Sequence, residues 1–288
     1  MSGEILSGQA RIGGQAALPV VGGLVRREFL AGLLILGCVN GFTSRIIEAV
    51  NRDGWADALF NTYDISIIVL VSSCAGVFLV LRDQSDQTNA TDLVVGAAFL
   101  LLVALPISGL SWAAVSALCI YVLASTKGVS TRQGAVILLA TTIPMFWSGL
   151  LFRFFANPIL NADASLVSWA LGTSRVGNIV ELPDHSGHLV IFGPCSSLAN
   201  VSLGILCWVT VSELAGRKRS PYDILWCLFA SAAVIAVNVA RMALMGVSES
   251  LYQTVHGNFG AALTSLIITV VTISICVFGA RRELFPRI

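Results

Sequence analysis

The sequence predicts an all-α protein that crosses a membrane several times, and three observations support this fold class. Hydrophobic residues make up 56% of the chain and charged residues only 11%, against about 25% charged residues in soluble domains. Apolar runs recur at lengths near the roughly 20 residues that a helix needs to span a bilayer. Basic residues gather in alternate connecting segments, as the positive-inside rule requires.

Eight apolar runs are long enough to predict membrane-spanning helices. Backbone groups in lipid must be hydrogen-bonded internally, and these runs are longer than barrel strands, so we interpret all eight as α-helices. The third and fourth runs share one stretch, which the turn-forming segment 106–109 divides. The predicted spans are 29–47, 65–81, two within 93–125, 134–152, 198–214, 222–247 and 261–279.

The distribution of basic residues predicts the side of the membrane that each segment faces. With eight spans and a cytoplasmic N-terminus, twelve of the seventeen Lys and Arg residues lie in cytoplasmic segments. A single helix over 93–125 would instead place the basic clusters 217–219 and 281–282 outside, against the positive-inside rule. We therefore predict a bacterial inner-membrane protein with both termini in the cytoplasm.

The chain is predicted to be one membrane domain, 29–288, preceded by a flexible cytoplasmic leader over 1–28 that is rich in Gly, Ala and Ser. An insert over about 153–197 is predicted on the outer face. It begins with a short surface helix over 164–171, which carries Trp169 at the membrane interface. Two β-prone runs, 176–182 and 189–193, then predict a hairpin that leads directly to Cys195.

Cys195 is the one cysteine of seven that lies outside the predicted spans. Thiols inside spans behave as small apolar side chains, and the cysteine spacing indicates no disulfide framework. Pro194 suits the first turn of a helix, so Cys195 is predicted at the positive end of the sixth span, where a thiolate is favoured. The alternative is an inert cysteine at a helix start.

Two further polar residues are predicted on the same outer side. His256 lies in the loop between the last two spans, and a neutral imidazole is the usual partner that activates a thiol. Arg241 interrupts an apolar run, where a charge is costly and marks a paired or functional site. Asn238 precedes Arg241 by three residues and shares its helical face. The alternatives are an ordinary loop histidine and an arginine that extends to the interface.

These residue types are complementary for acyl transfer through a thioester. A thiolate attacks a carbonyl, an imidazole transfers the proton, and a fixed cation stabilises the oxyanion. The H-x-x-H spacing of His185 and His188 also makes a zinc site with Cys195 or His256 conceivable. That spacing falls on a predicted turn and no Glu follows it, so we predict neither a metal nor a cofactor.

The order Cys195, Asn238 to Arg241, His256 resembles the exosortase/archaeosortase family. The eight-span layout with a hairpin before the cysteine is similar to that family as well. The resemblance implies that Cys195, Arg241 and His256 are catalytic and that Asn238 supports the site or binds substrate. Ser196 and Ser197 are assigned the same supporting role, although they depart from the Ser-Gly that usually follows the family's cysteine.

The resemblance further implies a membrane-embedded cysteine peptidase or transpeptidase. Such an enzyme cleaves C-terminal sorting signals of exported proteins through a Cys thioester and transfers the product to a surface acceptor. Its partners are exported proteins that carry a short motif, a transmembrane helix and a basic tail, with membrane lipid around them and no nucleic acid. The alternative functions are a non-enzymatic membrane component of exopolysaccharide assembly or export and a metal-dependent membrane hydrolase.

Overall fold

The computed structural model describes residues 25–83, 87–105, 107–185 and 187–284 as a mostly helical chain with one small sheet. Residues 1–24, which make up most of the predicted leader, lie outside this description. The helices in the described ranges are α1 (Arg26–Phe60), α2 (Ile67–Arg82), α3 (Ala90–Val103), α4 (Ser108–Ser125), α5 (Val129–Thr142), α6 (Ser148–Leu171), α7 (Ser197–Leu214), α8 (Tyr222–Val247), α9 (Glu249–His256), α10 (Asn258–Gly279) and α11 (Arg281–Leu284).

Within the described ranges, six helical segments are long and apolar enough to cross a membrane. They are α1, α4, α5 joined to α6, α7, α8 and α10. The other two predicted spans correspond to α2 and α3, which are apolar but only 16 and 14 residues long. The prediction of a mainly helical protein with several apolar helices of membrane length is confirmed, and the count of eight spans stays a prediction.

The apolar stretch 93–125 contains two helices, as predicted. α3 ends at Val103 and α4 begins at Ser108. The Asn89 side chain accepts a hydrogen bond from the backbone of Asp92, whose carboxylate accepts one from Asn89, so a capping box starts α3. Of the predicted break, Pro106 itself lies outside the described residues.

The sequence predicts a fifth span that ends near residue 152 and a separate surface helix over 164–171, whereas the structure has a kink and no loop between the two regions. α5 continues through a π-helical turn (Ile143–Trp147) into α6, which ends only at Leu171. Pro144 has no backbone N–H to donate, and the wider π turn accommodates this interruption without ending the helix. Phe155 has a non-helical backbone, φ −123° and ψ 27°, so α6 is kinked three residues beyond the predicted end of the span. Residues 164–171 are helical, and Trp169 is 83% exposed, but the helix that contains them begins near this kink rather than at residue 164.

A three-stranded antiparallel sheet follows α6, where the sequence predicts two strands. Its strands are β1 (Arg175–Val176), β2 (Ile179–Glu181) and β3 (His188–Val190). The first predicted strand is divided because Gly177 adopts φ 62° and turns the chain, a conformation that glycine tolerates best. The β2–β3 pair is the predicted hairpin, with Val180 opposite Leu189.

The sheet packs on α6 and α8 through an apolar cluster that we call the sheet-end cluster. The buried members come from α6, the sheet segment and α8, and Cys195 packs at the margin of the cluster. We call the end of the helix bundle that carries this cluster the sheet end. The buried members are Ala164, Val167, Val180, Ile191, Val239, Met242 and Met245.

The larger apolar core is formed mainly by α1, α2, α4, α5 and α7, with further buried residues from α3 and α10. α2 and α5 approach closely because Gly76 and Gly134 face each other, and a Cβ on Gly134 would overlap the backbone oxygen of Gly76. Small residues at helix contacts are typical of membrane helices, whose association depends on close van der Waals packing.

Candidate functional site

Cys195 ends a short 3-10 turn (Gly193–Cys195) that joins β3 to α7. The N-cap of α7 is Ser196, whose Oγ accepts a hydrogen bond from the Leu198 backbone N–H at 3.2 Å. Cys195 therefore lies next to the N-terminal end of α7, but both Pro194 and Cys195 precede the cap, so Pro194 is not in the first turn of this helix. The reason is chemical, because a serine hydroxyl caps a helix N-terminus far better than a thiol.

Cys195 is partly buried, and its environment differs from that of the other six cysteines. Those residues lie within α1, α2, α4, α7, α8 and α10, whereas Cys195 lies in the connection between the sheet and α7. Its sulfur therefore belongs to a half-exposed position at the sheet end.

Asn238 of α8 is hydrogen-bonded to the main chain at Cys195. Its Nδ2 donates to the carbonyl oxygen of Cys195 at 2.8 Å and to the Oγ of Ser197 at 3.1 Å. Asn238 is 2% exposed, so both hydrogen bonds are shielded from water and are costly to lose. They bring the middle of α8 against the start of α7.

Arg241 follows Asn238 by about one turn of α8 and lies one turn before the buried Met245 on the same helical face. The residue is partly exposed, but its Nε is buried and has no hydrogen-bond partner among the described residues. No described carboxylate forms an ion pair with it. The guanidinium group thus has an unused donor at the sheet end.

His256 is the last residue of α9 and is exposed. Its ring stacks on that of Tyr252, one turn earlier, with the ring centroids 5.0 Å apart and the planes at 13°. Tyr252 and Val255 pack on the sheet-end cluster that Cys195 also borders. His256 therefore lies at the same end of the bundle, but within the described ranges no hydrogen bond joins it to Cys195 or Arg241.

His185 in the hairpin loop contacts a carboxylate, and this differs from the zinc site considered from the sequence. His185 Nδ1 lies 2.7 Å from Glu181 Oε1, and this contact raises the pKa of His185. The pKa of Glu181 is lowered by a hydrogen bond from Ser174 and by the one to His185. Among the residues that the structure describes, no group of three or more His, Cys, Asp or Glu side chains is placed to hold a metal ion.

Asp163 is also part of this site, and it is not among the residues predicted from the sequence. Its Oδ2 accepts a hydrogen bond from the backbone N–H of Ser197 at 3.1 Å. Asp163 is only 5% exposed. The signal that points to it in the sequence is an acidic residue in an otherwise weakly polar helix, since buried carboxylates are rare unless they are paired.

The sheet end thus combines a thiol, an unused guanidinium donor and a network of buried hydrogen bonds around the start of α7. These are the groups that nucleophilic attack on a carbonyl requires, apart from a base in contact with the sulfur. No protein-family model, no characterised protein and no solved structure matches this chain.

Proposed function

We propose that this protein is a membrane-embedded cysteine peptidase or transpeptidase of the exosortase type, with Cys195 as the nucleophile. The observation that carries the proposal is the buried, unpartnered Nε of Arg241 one turn from Asn238, which is itself hydrogen-bonded to Cys195. Buried polar groups without partners are uncommon in folded proteins, and a catalytic or binding role is one reason why they persist.

The proposed reaction begins with attack of the Cys195 thiolate on a substrate carbonyl carbon. The resulting oxyanion accepts a hydrogen bond from Arg241, and the C–N bond then breaks to leave an acyl thioester on Cys195. His256 takes the thiol proton and returns it to the departing amine. Water or an acceptor amine then cleaves the thioester and regenerates the thiol.

This reaction requires His256 to reach the sulfur. In the present arrangement its ring stacks on Tyr252, and Tyr252 borders the same apolar cluster as Cys195. Rotation of the imidazole away from Tyr252 is therefore a step of the proposed mechanism. Catalytic contacts often tighten only when substrate is bound.

The proposed substrates are exported proteins with a C-terminal motif, a transmembrane helix and a basic tail. Their scissile bond lies at the sheet end, on the periplasmic side of the inner membrane, and their basic tail stays in the cytoplasm. The acyl product passes to a surface acceptor or to water.

The experiment that tests this function is co-expression of the protein with candidate tail-bearing proteins, followed by mass spectrometry of their C-termini. Wild type is expected to shorten a tail, and both Cys195→Ala and Cys195→Ser are expected to leave it intact. Cys74→Ala is the matched control, because Cys74 is an exposed thiol within α2. Tails that remain intact with wild type, for every candidate in the host, contradict a peptidase.

The alternative is a non-enzymatic component of exopolysaccharide assembly or export. That function would survive Cys195→Ser, since a hydroxyl preserves size and hydrogen bonding at this position. Loss of polysaccharide export in the absence of the protein, with full export restored by Cys195→Ser, would favour this alternative. A metal-dependent hydrolase would instead be inhibited by chelators and would survive thiol alkylation.

A further inference from the structure

A buried carboxyl group is hydrogen-bonded to the main chain two residues after the proposed nucleophile. Asp163 is on α6, where its neighbours Ala164 and Val167 are fully buried in the sheet-end cluster. Burial of a polar group in such surroundings is costly unless a hydrogen bond compensates for the lost water. Here the compensation comes from the Ser197 N–H, at the first turn of α7.

Ser197 is held from two sides. Its backbone N–H binds Asp163 of α6, and its Oγ accepts a hydrogen bond from Asn238 of α8. The same Asn238 amide also binds the carbonyl oxygen of Cys195. Three helices therefore meet around the two residues that follow the thiol, and the 3-10 turn that carries Cys195 has this network as its support.

We propose that Asp163 is a positioning residue for the Cys195 nucleophile. Its carboxyl group holds the first turn of α7 through Ser197, and this in turn holds the direction in which the Cys195 sulfur projects. The inference rests on the proposed function, because positioning matters only if the thiol reacts. Asp163 does not touch the reacting atoms in this scheme; it acts through Ser197.

The first test compares two substitutions of Asp163. Asp163→Asn keeps an oxygen acceptor in the same place, whereas Asp163→Leu has a similar size and no acceptor. Ser168→Ala is the matched control, because Ser168 is also buried on α6 but its hydroxyl donates only within its own helix, to Ser165. The readout is the rate at which N-ethylmaleimide alkylates Cys195 between pH 5 and pH 9, in detergent, in a variant whose other cysteines are alanine.

We expect Asp163→Leu to speed alkylation by about tenfold, because the loss of one buried hydrogen bond frees a half-buried turn. Cleavage of the tail is expected to slow by a similar factor, since a misplaced nucleophile reacts less often. Asp163→Asn and Ser168→Ala are expected to match wild type in both measurements. A second single-cysteine protein that keeps only the fully buried Cys119 reports global unfolding, and its alkylation should not change.

The second test breaks the same hydrogen bond from the donor side and does not depend on whether Asp163→Leu folds. Ser197→Pro removes both the N–H and the hydroxyl, whereas Ser197→Ala removes only the hydroxyl. Proline is well tolerated at the first position of a helix, and Ser196 already has the extended conformation, φ −63° and ψ 140°, that a residue before proline needs. Cys195 should be alkylated about tenfold faster in Ser197→Pro than in Ser197→Ala, which is about the effect of losing one hydrogen bond.

The outcomes separate this inference from the proposed function. Equal alkylation and cleavage in Asp163→Leu and wild type, or in Ser197→Pro and Ser197→Ala, would overturn the positioning role even if the wild type cleaves tails. Alkylation that is about tenfold faster in Asp163→Leu but equal to wild type in Asp163→Asn supports the positioning role. If the wild type then cleaves no tail, the peptidase proposal fails, but the conclusion that Asp163 holds the turn with Cys195 remains.

Discussion

Arg241 has a buried guanidinium nitrogen for which the described residues supply no acceptor. The Nε of Arg217 is also buried without a hydrogen bond, but that guanidinium forms an ion pair with Asp223, with Nε 3.3 Å from a carboxylate oxygen, and donates to the Gly279 carbonyl oxygen at 2.8 Å. Arg241 forms no ion pair among the described residues, although the residue itself is partly exposed. At the residue scale, this free donor is the feature on which the proposed oxyanion role of Arg241 rests.

Replacement of Arg241 should separate activity from stability. Arg241→Gln is expected to slow tail cleavage by about 100-fold or more, the usual loss when one oxyanion donor is removed. Thermal unfolding in detergent should show a midpoint close to that of wild type, because Arg241 forms no ion pair with a described carboxylate and its loss breaks none. Arg153→Gln, which removes an exposed arginine from α6, is the control. Cleavage by Arg241→Gln at the wild-type rate would exclude the assigned role.

The hairpin formed by β2 and β3 is the element that separates α6 from the Cys195 turn. Glu181 and His188 are directly opposite each other in its register, and Glu181 also contacts His185 in the connecting loop. His185 has a left-handed backbone, φ 59°, which a non-glycine residue adopts at some cost. At the scale of the element, the contact with Glu181 helps to hold this loop conformation.

The stability of the hairpin loop should depend on pH. Glu181 raises the pKa of His185. The stabilisation that protonated His185 gives the loop is therefore complete below about pH 6.5, the ordinary histidine pKa, and is lost as pH rises through the raised value. The pKa of Glu181 is lowered, so its contribution is complete above about pH 4.3 and is lost as pH falls through the lowered value. The contact is therefore strongest between these two limits.

An NMR titration of labelled histidine measures this contact directly. Glu181→Gln is expected to lower the pKa of His185 toward its ordinary value. The rate at which a protease cleaves the loop is compared between wild type and Glu181→Gln at each pH. Relative to the variant, wild type should be cleaved most slowly near pH 5.5, and the two rates should become equal above neutral pH. An unchanged His185 titration in Glu181→Gln would show that the two side chains do not interact in solution.

The contact between α2 and α5 offers a second prediction for an element. Gly134→Ala would drive a Cβ into the backbone of Gly76, whereas Gly149→Ala, further along the same continuous helix, would meet no atom within 4 Å. We expect Gly134→Ala to destabilise the protein by about 1–3 kcal/mol through overpacking. Gly149→Ala should be neutral or stabilise it by roughly 0.5–1 kcal/mol. Thermal melts in detergent check both, and equal melts would contradict the close helix contact.

On the scale of the whole molecule, hydrogen bonds tie the helix ends together opposite the sheet. Arg26 at the start of α1 donates to Asp92 at the start of α3, at 2.9 Å. Asp83 after α2 accepts from Thr131 at the start of α5, at 3.2 Å. Arg217 after α7 donates to the last residue of α10. Successive apolar helices therefore run in alternate directions between this end and the sheet end.

Cysteine labelling in intact cells tests the predicted orientation of this bundle. In a cysteine-free background, Asp184→Cys in the hairpin loop is expected to react with a membrane-impermeant maleimide without permeabilisation. Lys218→Cys, in the connection between α7 and α8, should react only after the cells are permeabilised, because basic loops stay in the cytoplasm. The reverse labelling would invert the topology and remove the periplasmic site from the proposal.

The sequence by itself determined the features that depend on local chemistry. Apolar runs and the scarcity of charge predicted the helical class, and turn-forming residues around 106–109 predicted the division between α3 and α4. Alternating β-prone residues predicted the β2–β3 hairpin. The same patterns singled out Cys195, Arg241 and His256 because a polar group among apolar residues is visible without knowledge of its neighbours.

Only the tertiary structure decided how these residues meet. It joined α5 to α6, placed Cys195 before the N-cap of α7, stacked His256 on Tyr252 and set Asp163 behind Ser197. Asp163 and Ser197 are 34 residues apart, and Asn238 and Cys195 are 43 apart. Such contacts depend on how whole helices pack, and hydrophobic periodicity within one helix contains no information about the partner that another helix presents.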